Sequence, residues 1–255
     1  MIDTHCHILP GIDDGAESWE DSLEMARAAV SEGITTIIAT PHHHDGRYMN
    51  NYLNVHKLVN IINDKLGKEE IPLVVLPGQE VRNYSRMIED YEKGHTIGLN
   101  DSRYMLIEFP SSKVPSSFED IFHELKLKGV VPIIAHPERN AEIASHPERL
   151  AELIEQGALA QVTAHSINGG FGTKVQRIAL DLCCCNLVQI VASDAHGLRK
   201  RPFGLREAYT HLETSIGKDA VEEMKQRAAA IVNNETIERR PILSLPKKKR
   251  KFWLW

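Results

Sequence analysis

Ile2-Asp3-Thr4-His5-Cys6-His7, at the start of the chain, predicts a β-strand. Its last three residues include two histidines, which commonly bind metal ions. Alternate residues of a strand point to the same face, so His5 and His7 project together. Asp194-Ala195-His196 repeats this spacing near the other end of the chain, with a carboxylate in place of one imidazole. The two pairs become neighbours if a closed sheet brings the first and last strands together. The alternative for His5 and His7 is a pair of hydrogen-bonded core histidines.

Between these two pairs, strand-like apolar segments alternate with amphipathic helical segments. The sequence predicts seven strands, most of them rich in Ile and Val, at residues 2–8, 35–42, 72–81, 105–109, 130–136, 158–164 and 187–193. It predicts helices at residues 18–32, 52–66, 118–128, 148–155, 173–182, 203–214 and 219–233. Ser18 and Asp21 fit a capping box at the first helix. Continuous apolar strands separated by helices indicate a parallel sheet covered on both faces.

This alternation fits both an open doubly wound sheet and a closed α/β barrel. Polar residues lie at or just beyond the carboxyl ends of nearly every predicted strand, where barrel enzymes build their sites. An open sheet would concentrate them at one switch point. We therefore expect a single α/β domain over residues 1–245, a TIM-like (β/α)7 barrel of seven parallel strands.

The composition is that of an ordinary soluble globular protein, with 42% hydrophobic and 25% charged residues among 255. Neither an apolar run of 18 residues nor a signal-peptide profile occurs, so we expect a cytoplasmic protein. Three of the four cysteines are consecutive, at 183–185, which indicates reduced thiols rather than a disulfide framework. The net charge is −5, and −10 without the basic run 247–251, so nucleic-acid binding is not expected.

Four further polar residues end predicted strands: His42, Glu80, Glu108 and His136. Each follows an apolar run that should continue into the core. Taken alone, each could be a solvated strand end. Burying several carboxylates together is prohibitive unless cations neutralise them, so the set as a whole predicts a metal centre.

Asp14 is a further candidate ligand, although Asp13-Asp14-Gly15 is also a turn signal. Mixed histidine and carboxylate donors suit Mn, Fe or Zn better than Ca, which prefers oxygen ligands alone. The sequence has no cysteine pairs of the kind that form a structural zinc knuckle.

These motifs resemble those of the polymerase and histidinol phosphatase (PHP) superfamily. Within it, the chain resembles the bacterial manganese-dependent protein tyrosine phosphatases encoded beside capsule and exopolysaccharide kinases. The resemblance runs from Met1 to about residue 240. It rests on seven motifs, at residues 2–7, 13–15, 39–42, 78–80, 99–104, 135–139 and 192–196.

The resemblance implies a distorted seven-stranded barrel and a trinuclear centre of three divalent ions. It implies one ion held by His5, His7, Glu80 and Asp194, a second by Glu80, Glu108 and His136, and a third by Asp14, His42 and His196. Other PHP branches have a histidine where this chain has Asp14, and the oxygen ligand favours manganese over zinc there.

A centre of three divalent ions and four carboxylates would be positively charged and would attract a phosphate dianion. Two metals can share a hydroxide that attacks the phosphorus atom of a phosphomonoester. Arg139 and Arg201 follow His136 and His196 closely and are expected to clamp the phosphate oxygens, as the matching arginines do in the resembling family. A surface salt bridge is the alternative for each arginine.

Several other mechanisms lack their motifs. The sequence contains no cysteine followed six positions later by arginine, no P-loop and no G-x-S-x-G elbow. The remaining rivals use the same metals: histidinol phosphate phosphatase, a phosphodiesterase or nuclease, and a metal amidohydrolase. A non-catalytic, metal-stabilised scaffold that docks on a kinase is the alternative from another class.

Residues 246–255 form a basic and aromatic tail of the sequence Pro246-Lys247-Lys248-Lys249-Arg250-Lys251-Phe252-Trp253-Leu254-Trp255. Lys and Arg are attracted to an anionic leaflet and Trp prefers the interface, so the tail predicts weak contact with the inner face of the membrane. A solvated tail or a docking peptide is the alternative. The resemblance further implies two kinds of partner, an autophosphorylated tyrosine kinase and other phosphotyrosine proteins of the polysaccharide pathway.

Overall fold

The computed structural model of the chain describes residues 1–244, so the predicted tail at 246–255 lies outside the described residues. Its strands are β1 Ile2–Cys6, β2 Thr36–Ala39, β3 His42–His43, β4 Val74–Pro77, β5 Glu80–Arg82, β6 Tyr104–Glu108, β7 Val131–Ala135, β8 Leu159–Thr163 and β9 Ile190–Ala192. Its helices are α1 Trp19–Ser31, α2 Tyr52–Lys68, α3 Met87–Glu92, α4 Phe118–Leu127, α5 Ala141–Ser145, α6 Glu148–Gln156, α7 Ala164–Ile167, α8 Thr173–Cys184, α9 Leu205–Ile216 and α10 Lys218–Val232.

Every predicted strand segment contains a strand, but two of the seven segments are interrupted. Residues 35–42 divide into β2 and β3 at Thr40 and Pro41, and residues 72–81 divide into β4 and β5 at Gly78 and Gln79. Proline cannot donate to a ladder. A Cβ on Gly78 would lie 2.7 Å from the Ile38 side chain, so at the second interruption β2 packs directly against a glycine.

The strands form two parallel sheets, in the orders β1-β2-β4 and β3-β5-β6-β7-β8-β9. The predicted α/β class with parallel strands is therefore confirmed, although the ladders form two sheets rather than one continuous ring. The two interruptions explain this, because β2 and β4 continue directly into β3 and β5 of the other sheet.

The end of β1 lies beside the segment that follows β9. The His5 carbonyl accepts from the Asp194 N–H at 2.8 Å, and the His7 N–H donates to the Ala195 carbonyl at 2.9 Å. Cys6 pairs with Ala195 as an isolated parallel bridge. The two histidine-containing pairs are therefore neighbours, as expected if the first and last strands lie side by side.

Side chains of alternate strand residues pack in two hydrophobic clusters. The larger cluster lies between strands and helices, and it includes Phe118, Phe122 and Leu125 of α4. The smaller cluster joins buried residues of five strands: Ile38, Leu106, Ile133, Leu159 and Ile190. Glu108 and Gln161 follow Leu106 and Leu159 by two positions, so they point from the same face at the carboxyl ends of the strands.

The first helix begins as the sequence predicted. The Ser18 side chain accepts from the Asp21 N–H at 3.2 Å, and the Asp21 carboxylate accepts from the Ser18 N–H at 3.1 Å. The short helices α3, α5 and α7 were not predicted, because four to six residues are too few to show a helical period. Within residues 1–244, no helix has the length and hydropathy needed to cross a bilayer.

Candidate metal centre

Four buried donor atoms meet where β1, β5 and the β9 end converge. His5 Nε2 and His7 Nε2 are 3.2 Å apart, and both lie 3.3 to 3.4 Å from Glu80 Oε2 and 3.4 Å from Asp194 Oδ1. Donors placed tetrahedrally at about 2.0–2.2 Å from an ion are about 3.3–3.6 Å apart. The spacing of His5, His7, Glu80 and Asp194 therefore fits a metal ion.

Hydrogen bonds orient the imidazoles of this group. His5 Nδ1 lies 2.8 Å from Gln161 Oε1, and His7 Nδ1 lies 2.7 Å from Asp13 Oδ2. Both oxygens are acceptors, so each Nδ1 carries the proton and donates it. Loss of the Nε2 proton then leaves a lone pair directed at the group, which is the arrangement that metal-binding histidines require.

Glu80 joins this group to a second one. Its Oε1 is 2.8 Å from His136 Nε2, and its Oε2 is 3.0 Å from His42 Nδ1. Glu108 Oε1 is 4.0 Å from His136 Nε2, while Glu108 Oε2 accepts from Arg82 Nη1 at 2.6 Å. Donor atoms of Glu80, Glu108 and His42 all lie within 4.8 Å of one another.

Asp14 lies at the outer side of a third group. Its Oδ1 is 3.2 Å from His196 Nε2 and 3.5 Å from His42 Nε2. The His196 Nδ1 lies 2.9 Å from the Asp194 carbonyl and donates to it, so its Nε2 faces Asp14 as a lone pair. His7 also belongs to this group, and its ring centroid is 3.7 Å from that of His196.

Three buried atoms of these groups have no hydrogen-bond partner among residues 1–244: His42 Nδ1, Glu80 Oε2 and His196 Nε2. An unpaired buried polar atom is expensive, and lone pairs that face one another repel. A cation between the donors removes both penalties. The residues present therefore fit divalent ions.

Buried carboxylates in the centre are ionised. Burial raises the pKa of Glu80 and of Asp194, but neighbouring histidines, with Arg201 also acting on Asp194, outweigh burial and hold both values well below the usual range. Burial also lowers the pKa of His196, to about 4, with His7 adding to the effect. The centre thus offers anionic oxygens and at least one neutral imidazole as ligands.

Both predicted arginines lie at the centre. Arg139 Nη1 and Arg201 Nη1 donate to Asp194 Oδ2 at 2.6 and 2.7 Å. A guanidinium has five N–H donors, so these bonds leave others for a ligand. One oxygen of the Asp194 carboxylate, Oδ1, therefore faces the histidines, and the other, Oδ2, faces the two guanidinium groups.

The structure thus brings together all eleven residues singled out in the sequence, and it adds two that were missed. Gln161 lies inside the largely apolar run 158–164 and is buried. An amide in such a run is the sequence signal that could have identified it. Asp13 lies in the turn motif Asp13-Asp14-Gly15, in which only Asp14 was predicted to be a ligand. Each forms a hydrogen bond to a histidine that is a candidate ligand.

Backbone strain marks two of the strand ends. His136 and Asp194 have positive φ values, 34° and 54°, which are uncommon for residues other than glycine. These conformations direct both side chains toward the donors described above, and such strain is frequent at functional sites.

Comparison with known proteins agrees with this geometry. The family described as "Capsular polysaccharide synthesis, CpsB/CapC" matches residues 1–233. The chain belongs to the CpsB/CapC family. Tyrosine-protein phosphatase YwqE of Bacillus subtilis is 47% identical over 253 residues, which cover 99% of each chain. Tyrosine-protein phosphatase CpsB of Streptococcus pneumoniae is 30% identical, over 88% of this chain and 94% of that relative.

Solved structures extend the comparison. One, reported for YwqE from Bacillus subtilis and CpsB from Streptococcus pneumoniae as unique metal-dependent tyrosine phosphatases, matches with a TM-score of 0.94 and 46% identity. The match covers 97% of this chain and all of that one. A phosphotriesterase homology protein from Escherichia coli, at 10% identity and a TM-score of 0.56 over 90% of this chain and 97% of that one, shares the fold alone.

Proposed function

We propose that the chain is a metal-dependent protein tyrosine phosphatase, which hydrolyses the phosphomonoester of phosphotyrosine in proteins. The observation that carries the proposal is the convergence of nine candidate histidine and carboxylate ligands with two arginines. Three relatives or solved structures that match nearly the full chain or most of it are described as tyrosine phosphatases, and one of them as metal-dependent.

Three divalent ions would be held by the three groups of donors. The four close donors of the first group would hold one ion. Glu80, Glu108 and His136 would hold a second. Asp14 and His196 would hold a third with His42, whose Nε2 faces Asp14. Manganese suits this mixture of nitrogen and oxygen ligands, and such ions supply Lewis acidity toward phosphoryl oxygens and acidify a water for attack on phosphorus.

Arg139 and Arg201 would bind the phosphate and orient it. A guanidinium matches two phosphate oxygens with two N–H donors, and Asp194 fixes one nitrogen of each arginine beside the ligand histidines. The phenolic leaving group of tyrosine has an ordinary pKa near about 10, so it needs less protonation than an alkyl alcohol.

We further propose that the two sheets together form the distorted seven-stranded (β/α)7 barrel. The β1 end bonds to the segment that follows β9, and two-residue connections, between β2 and β3 and between β4 and β5, link the two sheets. This arrangement brings the carboxyl ends of all strands to one opening, which is where the donors converge.

The test of the proposed function is turnover by the full chain, reconstituted with manganese, of a phosphotyrosyl peptide and of histidinol phosphate. We expect a clear preference for the peptide in kcat/KM. Glu80→Gln should abolish turnover and reduce bound metal, whereas the matched control Glu89→Gln, in an exposed ion pair on α3, should change neither. A preference for histidinol phosphate would overturn the substrate class, and a metal-saturated protein without turnover would favour the scaffold.

The substrates we propose are proteins of capsular polysaccharide synthesis, in particular an autophosphorylated tyrosine kinase. The family description and the full-length match to tyrosine phosphatases support this class of partner. Incubation of purified, autophosphorylated kinase with the manganese-loaded chain should remove its phosphotyrosine, as read by mass spectrometry.

A further inference from the structure

Phe171 is an exposed aromatic residue beside the arginines. It lies in the loop between α7 and α8, and 37% of its surface is exposed. Its ring centroid is 5.0 Å from Arg139 Cζ, and Arg139 in turn donates to Asp194. Phe171 therefore packs on an arginine whose guanidinium also contacts a ligand carboxylate.

The position of Phe171 is fixed by its neighbours. Its ring meets the His165 ring edge to face, with centroids 4.6 Å apart and an interplanar angle of 81°. The Gly170 N–H donates to the His165 carbonyl at 2.8 Å. A Cβ on Gly170 would lie 2.1 Å from His165 Cε1, so the loop backbone lies directly against the imidazole. A side chain held this way has already lost much of the freedom that binding would cost.

We propose that Phe171 is a specificity-determining residue that contacts the phenyl ring of the substrate's phosphotyrosine. The inference rests on the proposed function, since it assigns the ring-binding part of the same site. In an aryl phosphate the ring is separated from phosphorus by one oxygen atom. A phosphate held by Arg139 thus brings its ring near the aromatic residue packed on that arginine. Aromatic pairs interact at centroid distances of about 4.5–7 Å, and an alkyl phosphate has no ring to use this contact.

The test compares two ligands that differ by the ring, benzylphosphonate and methylphosphonate, bound to the manganese-loaded full chain and measured by calorimetry. Phe171→Leu keeps an apolar side chain and removes the aromatic face. We expect this substitution to weaken the binding of benzylphosphonate about three- to tenfold, the range that an aromatic pair supplies, and to leave the binding of methylphosphonate unchanged. Leu53→Ala, an exposed apolar residue at the start of α2, is the matched control and should alter neither affinity.

Each other outcome overturns the inference. Equal weakening of both ligands would mean that Phe171 acts by positioning Arg139. No change in the affinity for either ligand, or no preference of the unsubstituted chain for benzylphosphonate, would mean that the ring contacts other residues. Turnover of the phosphotyrosyl peptide is measured separately, so failure of the proposed function is distinguishable from failure of this assignment.

Discussion

Arg139 and Arg201 donate to the same oxygen of Asp194, with Nη1–Oδ2 distances of 2.6 and 2.7 Å. The other oxygen, Oδ1, lies 3.4 Å from His5 Nε2 and from His7 Nε2. One carboxylate therefore connects the two cationic side chains to the proposed metal ligands. Because both guanidinium groups contact the same Asp194 oxygen, a substitution of either arginine should change the position of the other.

Removal of either arginine should strongly reduce phosphatase activity. We expect Arg139→Ala and Arg201→Ala each to lower kcat/KM for p-nitrophenyl phosphate about 100-fold, because each loses charge-assisted hydrogen bonds to phosphate that are worth about 1.5–3 kcal/mol. The double variant should lose less than the product of the two, since both guanidiniums contact the same oxygen. The measurement is a double-mutant cycle on manganese-loaded protein with metal content determined in parallel.

Arg199→Ala is the control for this cycle, because Arg199 is exposed in the same loop as Arg201. It should retain nearly full activity. Strictly multiplicative losses would show that Arg139 and Arg201 act independently, which would contradict coupling through Asp194.

Asp13 and Gln161 should control metal affinity without being ligands. Asp13→Ala and Gln161→Leu each remove the acceptor that fixes the proton on Nδ1 of His7 or His5. Loss of such partners typically weakens metal binding about 10- to 100-fold. We expect that range in manganese titrations by calorimetry, with activity restored at saturating metal. Asp64→Ala, exposed on α2, is the control, and an unchanged affinity in both test variants would refute the positioning role.

The candidate ligands could be found from the sequence because they obey a simple geometric rule. The carboxyl ends of parallel strands meet at one edge, so Glu80, Glu108 and His136 could be placed together before their distances were known. The α/β class followed for a related reason, since only apolar strands fit between layers of helices.

The grouping of the ligands could not be derived in the same way. His42 presents Nδ1 to Glu80 and Nε2 to Asp14, and the choice between them depends on a side-chain rotation that periodicity does not report. The interruptions at Pro41 and Gly78 were also missed, because each lies inside an otherwise apolar run and depends on contacts with a neighbouring strand. Tertiary packing decides both features.

Manganese affinity should rise with pH. Burial lowers the pKa of His7, but Asp13 outweighs it and raises the value well above 6.5, and Glu80 raises that of His5 in the same way. Both imidazoles must lose a proton to bind metal, so affinity should increase by up to about tenfold per pH unit for each proton released. Calorimetry at pH 6.5 in two buffers of different ionisation enthalpy should show proton release, and its absence would contradict the assignment of these two ligands.

The same shifts affect the stability of the metal-free protein. A histidine whose pKa is raised on folding stabilises the fold fully below its unfolded value of about 6.5, and this contribution is lost as pH rises through the folded value. We expect the contribution of His5 and His7 to the melting temperature of chelated protein to fall as pH rises above 6.5. Manganese-loaded protein should not show this loss, because ions replace the protons.

Gly170 should be required for the loop that holds Phe171. Gly170→Ala places a Cβ 2.1 Å from His165 Cε1, and this overlap must displace the ring or the loop. We expect a loss of about 1–3 kcal/mol in the free energy of unfolding, as for other overpacked positions. Gly67→Ala is the matched control, because Gly67 lies in α2 with no heavy atom within 4 Å of the added Cβ, and alanine is favoured over glycine in a helix by up to about 1 kcal/mol. Urea unfolding of both variants should therefore give changes of opposite sign, and a neutral Gly170→Ala would show that the His165 contact yields without cost.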